Sequence, residues 1–186
     1  FAVCLNAVAR ALEHDGVVVI QFVEPAFIVF MREVSVWGIE ALHRAIAGLS
    51  CKTAVHICYG YGIKANVDWK SSLGQEWRQY EEVFPALAGS RIDQVSVECR
   101  NSKVPLSLLE LLKGKDVLVG VIDVATDDVE TPEDVAATIE AAMQYVPRER
   151  IVACTNCGMA PMNRAVAEAK LKALGDGARL ARKRFG

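Results

Sequence analysis

Short apolar runs alternate along the chain with longer stretches of helical period. The runs "VVVIQF" (17–22), "TAVHIC" (53–58), "IDQVSVE" (92–98), "KDVLVGVID" (115–123) and "RIVAC" (150–154) are rich in β-branched residues, as expected of strands buried on both faces. Helical patterns follow at about 31–49, 75–88, 131–146 and 161–184, with a short Leu-rich helix opened by Pro105. The stretch between the second strand and residue 75 reads as a long loop. At 131–146 the start signal is explicit: Thr131 is a natural N-cap, Pro132 takes the first helical position, and Asp134 closes a capping-box-like start.

Strands alternating with helices predict an α/β fold of parallel βα units. Five such units make either an open doubly wound sheet or part of a barrel. Residues 1–16, "FAVCLNAVARALEHDG", already read as a helix feeding a strand, so the chain is expected to begin partway through a βα series. No linker, repeat or low-complexity segment divides it, which predicts a single domain over 1–186.

Composition narrows the partners. Lys+Arg is 21 against Asp+Glu 23, and a net charge of −2 argues against a nucleic-acid or anionic-membrane surface. The greasiest stretch, "VVVIQFVEPAFIVFM" (17–31), is interrupted by Gln21, Glu24 and Pro25 and is too short for a membrane span. The six cysteines (Cys4, Cys51, Cys58, Cys99, Cys154, Cys157), with no visible leader, suit free thiols or metal ligands in a reducing cytoplasm.

The chemistry gathers at strand ends. Residues i and i+2 of a strand share a face, so His56 and Cys58 point the same way at the end of the second run. Glu98 ends the third, and Cys157 lies in "CTNCGMAPM" just past the fifth. In parallel α/β folds the C-terminal strand ends form the active-site face. An imidazole, two thiolates and a carboxylate converging there would suit tetrahedral zinc. Each piece also has a plainer reading. A lone His-x-Cys at a strand end is more often packing, and Cys154-x-x-Cys157 has the spacing of a redox dithiol. Such dithiols open a helix directly, whereas Pro161 delays the helix here. "YGYG" (59–62) lacks the third glycine and immediate helix of a dinucleotide fingerprint. Trp69, Trp77 and Tyr80 read as packing, and Arg182-Lys183-Arg184 as cations favoured at a helix C-terminus.

Taken in order, "IQFVEPAF" (20–27), "HICY" (56–59), "VSVECRNS" (95–102), "GVIDV" (120–124) with "ETPEDV" (130–135), and "CTNCGM" (154–159) resemble the catalytic barrel of the cobalamin-independent methionine synthase family. The likeness spans essentially the whole chain and is closest to the short, single-domain bacterial forms. It implies the C-terminal portion of a (βα)8 TIM barrel, with about five βα units present and about three N-terminal ones absent. It implies zinc held by His56, Cys58, Glu98 and Cys157. Cys99 competes with Glu98 on ligand chemistry alone, but the family has a carboxylate followed by a small polar residue there. Cys154 takes the place of a non-ligand.

The implied activity is that of a methyltransferase acting on homocysteine to give methionine. Its donor is a methylated folate or, in some short forms, a methyl-corrinoid protein. Zinc would hold the substrate sulfur as thiolate, and Glu98 is the ligand to loosen when that sulfur arrives. Two departures stand out. Where large members have "DIHS" this chain reads Asp123-Val124-Ala125-Thr126, so the histidine associated with leaving-group protonation is Ala125. Asp123 and Glu130 are then the nearby acidic candidates for catalysis. Where the family has "DEPA" this chain has Val23-Glu24-Pro25-Ala26, leaving Glu24 but not the aspartate that meets the substrate ammonium. The alternatives are a zinc-dependent epoxyalkane–coenzyme M transferase, or a non-catalytic zinc-binding barrel fragment.

Overall fold

A computed structural model, describing residues 1–60 and 64–186, arranges the apolar runs as a five-stranded parallel sheet. The strands are β1 (Val19–Val23), β2 (Lys52–His56), β3 (Gln94–Glu98), β4 (Asp116–Ile122) and β5 (Ile151–Thr155), side by side in chain order. That order decides between the two architectures. A doubly wound sheet reverses its strand order at a switch point, whereas a barrel wall adds every strand to the same edge. The wall does not close: among the described residues β1 pairs only with β2, and β5 only with β4.

Helices cover one face. α1 (Ala2–His14) precedes β1. After β1, α2 (Met31–Glu33) runs through a π-helical turn, Val34–Gly38, into α3 (Ile39–Ala45). Where a loop was expected between β2 and β3 the chain forms a further helix, α4 (Lys64–Ser72), before α5 (Gln79–Ala88). Its sequence, "KANVDWKSS", has no apolar stripe of helical period to announce it. The Leu-rich segment is a 3-10 helix, Leu106–Leu111. α6 (Pro132–Ala142) starts on the expected capping box, with the Asp134 amide donating to Thr131 Oγ1 at 3.1 Å and the Thr131 amide donating to Asp134 Oδ2 at 3.0 Å. α7 (Arg164–Phe185) begins three residues after Pro161, because the Asn163 side chain takes the N-cap and accepts from the Ala165 amide.

Strand register sorts the side chains. Val55, Val95, Val97, Val117 and Val119 are buried in the core with Val83, Phe84 and Leu87 of α5 and Val135 and Ile139 of α6. The pleat sends alternate residues the other way: Val23, His56 and Ser96 in one register row, then Glu98, Gly120 and Cys154. The concave side of the wall is therefore mostly polar or small, and the convex side is the core.

Both outer strands keep an unpaired edge, and apolar surface lies beside β1. Val23, Phe30, Val36 and Trp37 are exposed, and a groove of about 420 Å³ lined by Leu5, Val8, Phe22 and Trp37 runs along the strand. Unpaired edges next to apolar surface promote association. The 186-residue chain is expected to sediment as concentration-dependent oligomers and to bind an apolar dye. A monomer at all concentrations with no dye signal would contradict this. Among the described residues no helix is long and apolar enough to cross a membrane.

Candidate metal centre

Three side chains meet at the C-terminal ends of the strands. His56 closes β2, Cys58 follows two residues on, and Cys157 arrives in the loop after β5. One ligand atom from each lies within 4.8 Å of the other two, and all three residues are buried. The two sulfurs are 3.2 Å apart. His56 Nδ1 is 2.8 Å from Ser96 Oγ on the neighbouring strand, which orients the ring. Its other nitrogen, Nε2, is buried and has no hydrogen-bond partner among the described residues. A buried imidazole nitrogen without a partner is costly unless something else satisfies it. Two thiols and a bare imidazole nitrogen are what zinc takes in tetrahedral sites.

The thiols are electrostatically unlike. Sharing a proton with the Cys58 sulfur holds the Cys157 thiol below its usual range, with His56 assisting. The same shared proton, together with burial, pushes the Cys58 thiol well above its usual range. The Gly60 amide donates to Cys58 Sγ at 3.3 Å, so that sulfur is placed to carry charge once its proton leaves.

Glu98 ends β3 on the same face but is not in that 4.8 Å group. Its Oε2 accepts from the Tyr59 amide at 3.2 Å, and Lys70 Nζ reaches its two oxygens at 3.2 and 3.5 Å. Burial pushes its carboxyl up, against the lowering pull of Lys70 and of the Tyr59 amide. Tyr80, fully buried, ties the two strand ends together: its hydroxyl donates to the Ile57 carbonyl at 2.9 Å and accepts from the Glu98 amide at 3.3 Å.

The β5 loop is fastened by Asn156. Its Oδ1 accepts from the amides of Cys99 (3.1 Å) and Arg100 (3.2 Å), and its Nδ2 donates to the Arg100 carbonyl (2.7 Å). That amide occupies the space above Gly120, where an added Cβ would fall 2.3 Å from Asn156 Oδ1. Gly120 is thus the opening that lets the Cys157 loop close down on the end of β3.

The other cysteines stand aside. Cys154 shares the concave face, 3.7 Å from Ser96 Oγ, and burial raises its thiol to about 12. Cys99 is buried in the core, where burial likewise raises its thiol. Neither joins the His56–Cys58–Cys157 group.

Asp123 and Glu130 are buried but engaged. Asp123 Oδ1 accepts from the Ala125 amide at 2.8 Å, and Oδ2 from Asn101 Nδ2 at 3.0 Å. Glu130 Oε1 accepts from the Asp123 amide at 2.8 Å, while Oε2 is 3.0 Å from the fully buried Lys170 Nζ. Glu130 therefore acts on the strand end through Asp123. Glu24 is half-buried and spends one oxygen capping its own 3-10 turn, accepting from the Ala26 amide. Val23 pairs in register with His56 and is exposed. Trp69 and Trp77 pack on Tyr59, at centroid distances of 5.8 and 4.9 Å. Of "YGYG", Tyr61 and Gly62 lie outside the described residues.

Three contributors escaped the sequence reading. Ser96 was legible, since "VSVE" places it two residues before Glu98 on the same face. Asn156 sits between the two cysteines of "CTNC" but nothing local marks it as a fastener. Lys70 left no signal, because it comes from the helix that was read as a loop.

The family model described as "Cobalamin-independent synthase, Catalytic domain" matches residues 1–180. A methionine synthase of Saccharolobus solfataricus is 31% identical over 184 residues, 97% of this chain and 49% of that protein. One from Sulfurisphaera tokodaii is 29% identical, over 96% of this chain and 47% of its own length. A solved B12-independent methionine synthase from Shewanella sp. W3-18-1, in complex with selenomethionine, superposes with a TM-score of 0.97 at 59% identity, covering 100% of this chain and 54% of that one. A second solved structure, from Listeria monocytogenes, shares the fold with a TM-score of 0.65 at 18% identity. The chain spans about half the length of the relatives it matches.

Proposed function

This chain belongs to the cobalamin-independent synthase family, matching its catalytic domain, and from that premise we propose that it is a methyltransferase unit acting on the homocysteine thiol to give methionine. The observation that carries this reading is the buried His56 Nε2, without a hydrogen-bond partner among the described residues, beside two thiols 3.2 Å apart. His56, Cys58, Cys157 and Glu98 are the residues we assign to hold zinc. When bound there, zinc supplies Lewis acidity that keeps a substrate sulfur as its nucleophilic thiolate near neutral pH.

The chain's own residues divide the remaining work. Ser96 fixes the His56 ring through Nδ1 and leaves Nε2 for the metal. Glu98, outside the close group of three, would be the fourth and most loosely placed of the residues holding the metal. Asp123 is the proton-handling candidate, and Glu130 positions it by holding its amide. Glu24 is assigned to the substrate's ammonium group with its uncommitted oxygen. The donor we favour is a methylated folate, since the descriptions cobalamin-independent and B12-independent lend nothing to a methyl-corrinoid donor.

Cobalt(II) in place of zinc gives a thiolate charge-transfer band that reports the sulfur set. Homocysteine is expected to shift that band, and methyltetrahydrofolate to yield methionine. A site that binds cobalt but responds to 2-mercaptoethanesulfonate and not to homocysteine would favour the epoxide-opening transferase. A site that answers to no thiol would be a non-catalytic metal site.

Val23 tests the amino-acid assignment. An aspartate there would lie in the register row of His56, but at a position 63% exposed. Exposed ion pairs contribute about 0.2–1 kcal/mol. Val23→Asp should therefore tighten homocysteine by at most about fivefold and leave 2-mercaptoethanol unchanged. Equal gains for both thiols would mean that Val23 acts on packing or on the metal.

A further inference from the structure

Lys70 reaches the site from α4 and is nearly enclosed, with its side chain 12% exposed. Its ammonium lies 3.2 and 3.5 Å from the two Glu98 oxygens, 3.4 Å from the Gly60 carbonyl, and 5.3 Å from the centroid of Trp77. An ammonium so enclosed is little screened by solvent ions, and the carboxylate it grips is the one member of the assigned ligand set outside the close group of three.

The usual partner behind a metal ligand is an acceptor, such as a carboxylate on a ligating imidazole, and it raises the ligand's donor strength. Lys70 is the reverse. It draws electron density from Glu98 and places a positive charge beside the position for a cation. We infer that Lys70 is a positioning residue that competes with the metal for the Glu98 carboxylate, keeping it a weak ligand that a substrate thiol can displace. This rests on the zinc reading above. It assigns the exchangeability of the fourth position to a residue outside the ligand set. It also gives α4 a purpose: to carry one cation over the end of β3. The charge count agrees. Two thiolates and a carboxylate exceed a divalent cation by one negative charge, and Lys70 cancels that excess while leaving the sulfurs untouched.

The test is zinc affinity by chelator competition on the full chain, with wild type, Lys70→Met, Lys70→Gln and Lys70→Arg compared. Groups that contact metal ligands change affinity by about 10- to 100-fold. Lys70→Met and Lys70→Gln should bind zinc about tenfold more tightly, and Lys70→Arg should stay near wild type. With cobalt bound, the two neutral variants should need about tenfold more homocysteine to shift the spectrum. In a Glu98→Gln background Lys70→Met should have a much smaller effect, because the carboxylate in dispute is gone and only the through-space repulsion of the cation remains. Near-UV circular dichroism confirms that each variant is folded. Weaker or unchanged zinc binding in both folded neutral variants would overturn the inference, and so would an undiminished effect in the Glu98→Gln background. A wild-type chain that binds no zinc would instead sink the metal reading itself, and this inference with it.

Discussion

Cys58→Ser and Cys157→Ser should each lower zinc affinity by far more than the roughly 100-fold ceiling for residues that only contact a ligand. The two sulfurs face each other at 3.2 Å with His56 alongside, so each thiol removed takes one of three clustered donors. A serine hydroxyl is a poor substitute, because it stays protonated where a thiol ionises and is a hard donor for a borderline-soft metal. Cys154→Ser and Cys99→Ser change sulfurs outside the cluster and should leave stoichiometry and affinity near wild type. Metal content after dialysis and chelator competition measure both. If Cys154→Ser strips the metal as badly as Cys157→Ser, the assigned ligand set is wrong. In that event the Cys154-x-x-Cys157 pair must act together, as the dithiol reading had it.

Lys170→Met should destabilise the fold by about 3–5 kcal/mol, a large part of the 5–15 kcal/mol that holds an ordinary domain together. Lys170 is wholly buried in α7, and its ammonium meets Glu130 Oε2 at 3.0 Å and the Asp128 carbonyl. Methionine fills a similar volume but leaves the buried Glu130 carboxyl without its cation. Glu130→Gln added to Lys170→Met should recover much of the loss, because it removes the stranded carboxyl while keeping an oxygen for the Asp123 amide. Urea unfolding at low protein concentration reads both variants. A cost below about 1 kcal/mol, the range of exposed pairs, would mean that water already reaches the pair and that it does not brace the strand end. The neighbouring helix contact is equally tight: an added Cβ on Gly177 would fall 2.3 Å from Val135 Cβ, so α7 lies directly on α6.

The periodicity of the chain was enough to place five strands and most of the helices, because alternating and 3.6-residue patterns are local properties of the backbone. It also put His56 and Cys58 on one face, and Thr131 and Asp134 in a capping box, since both depend only on spacing along a single element. The resemblance in "HICY", "VSVEC" and "CTNCGM" fell on the same four ligands that strand-end position had already singled out. What it could not contain was anything settled by chain segments returning to one another. Open wall or doubly wound sheet was decided by which edge each strand joined. Glu130 offered a free carboxylate on paper and proved to be tied to Lys170, 40 residues later. Glu98 was one of four ligands in sequence, but in the fold it is held by Lys70, 28 residues earlier on a helix with no apolar stripe. Cys58 and Cys157 meet across 99 positions. Local pattern sets which face a side chain takes; only the closed chain sets which charge is waiting opposite it.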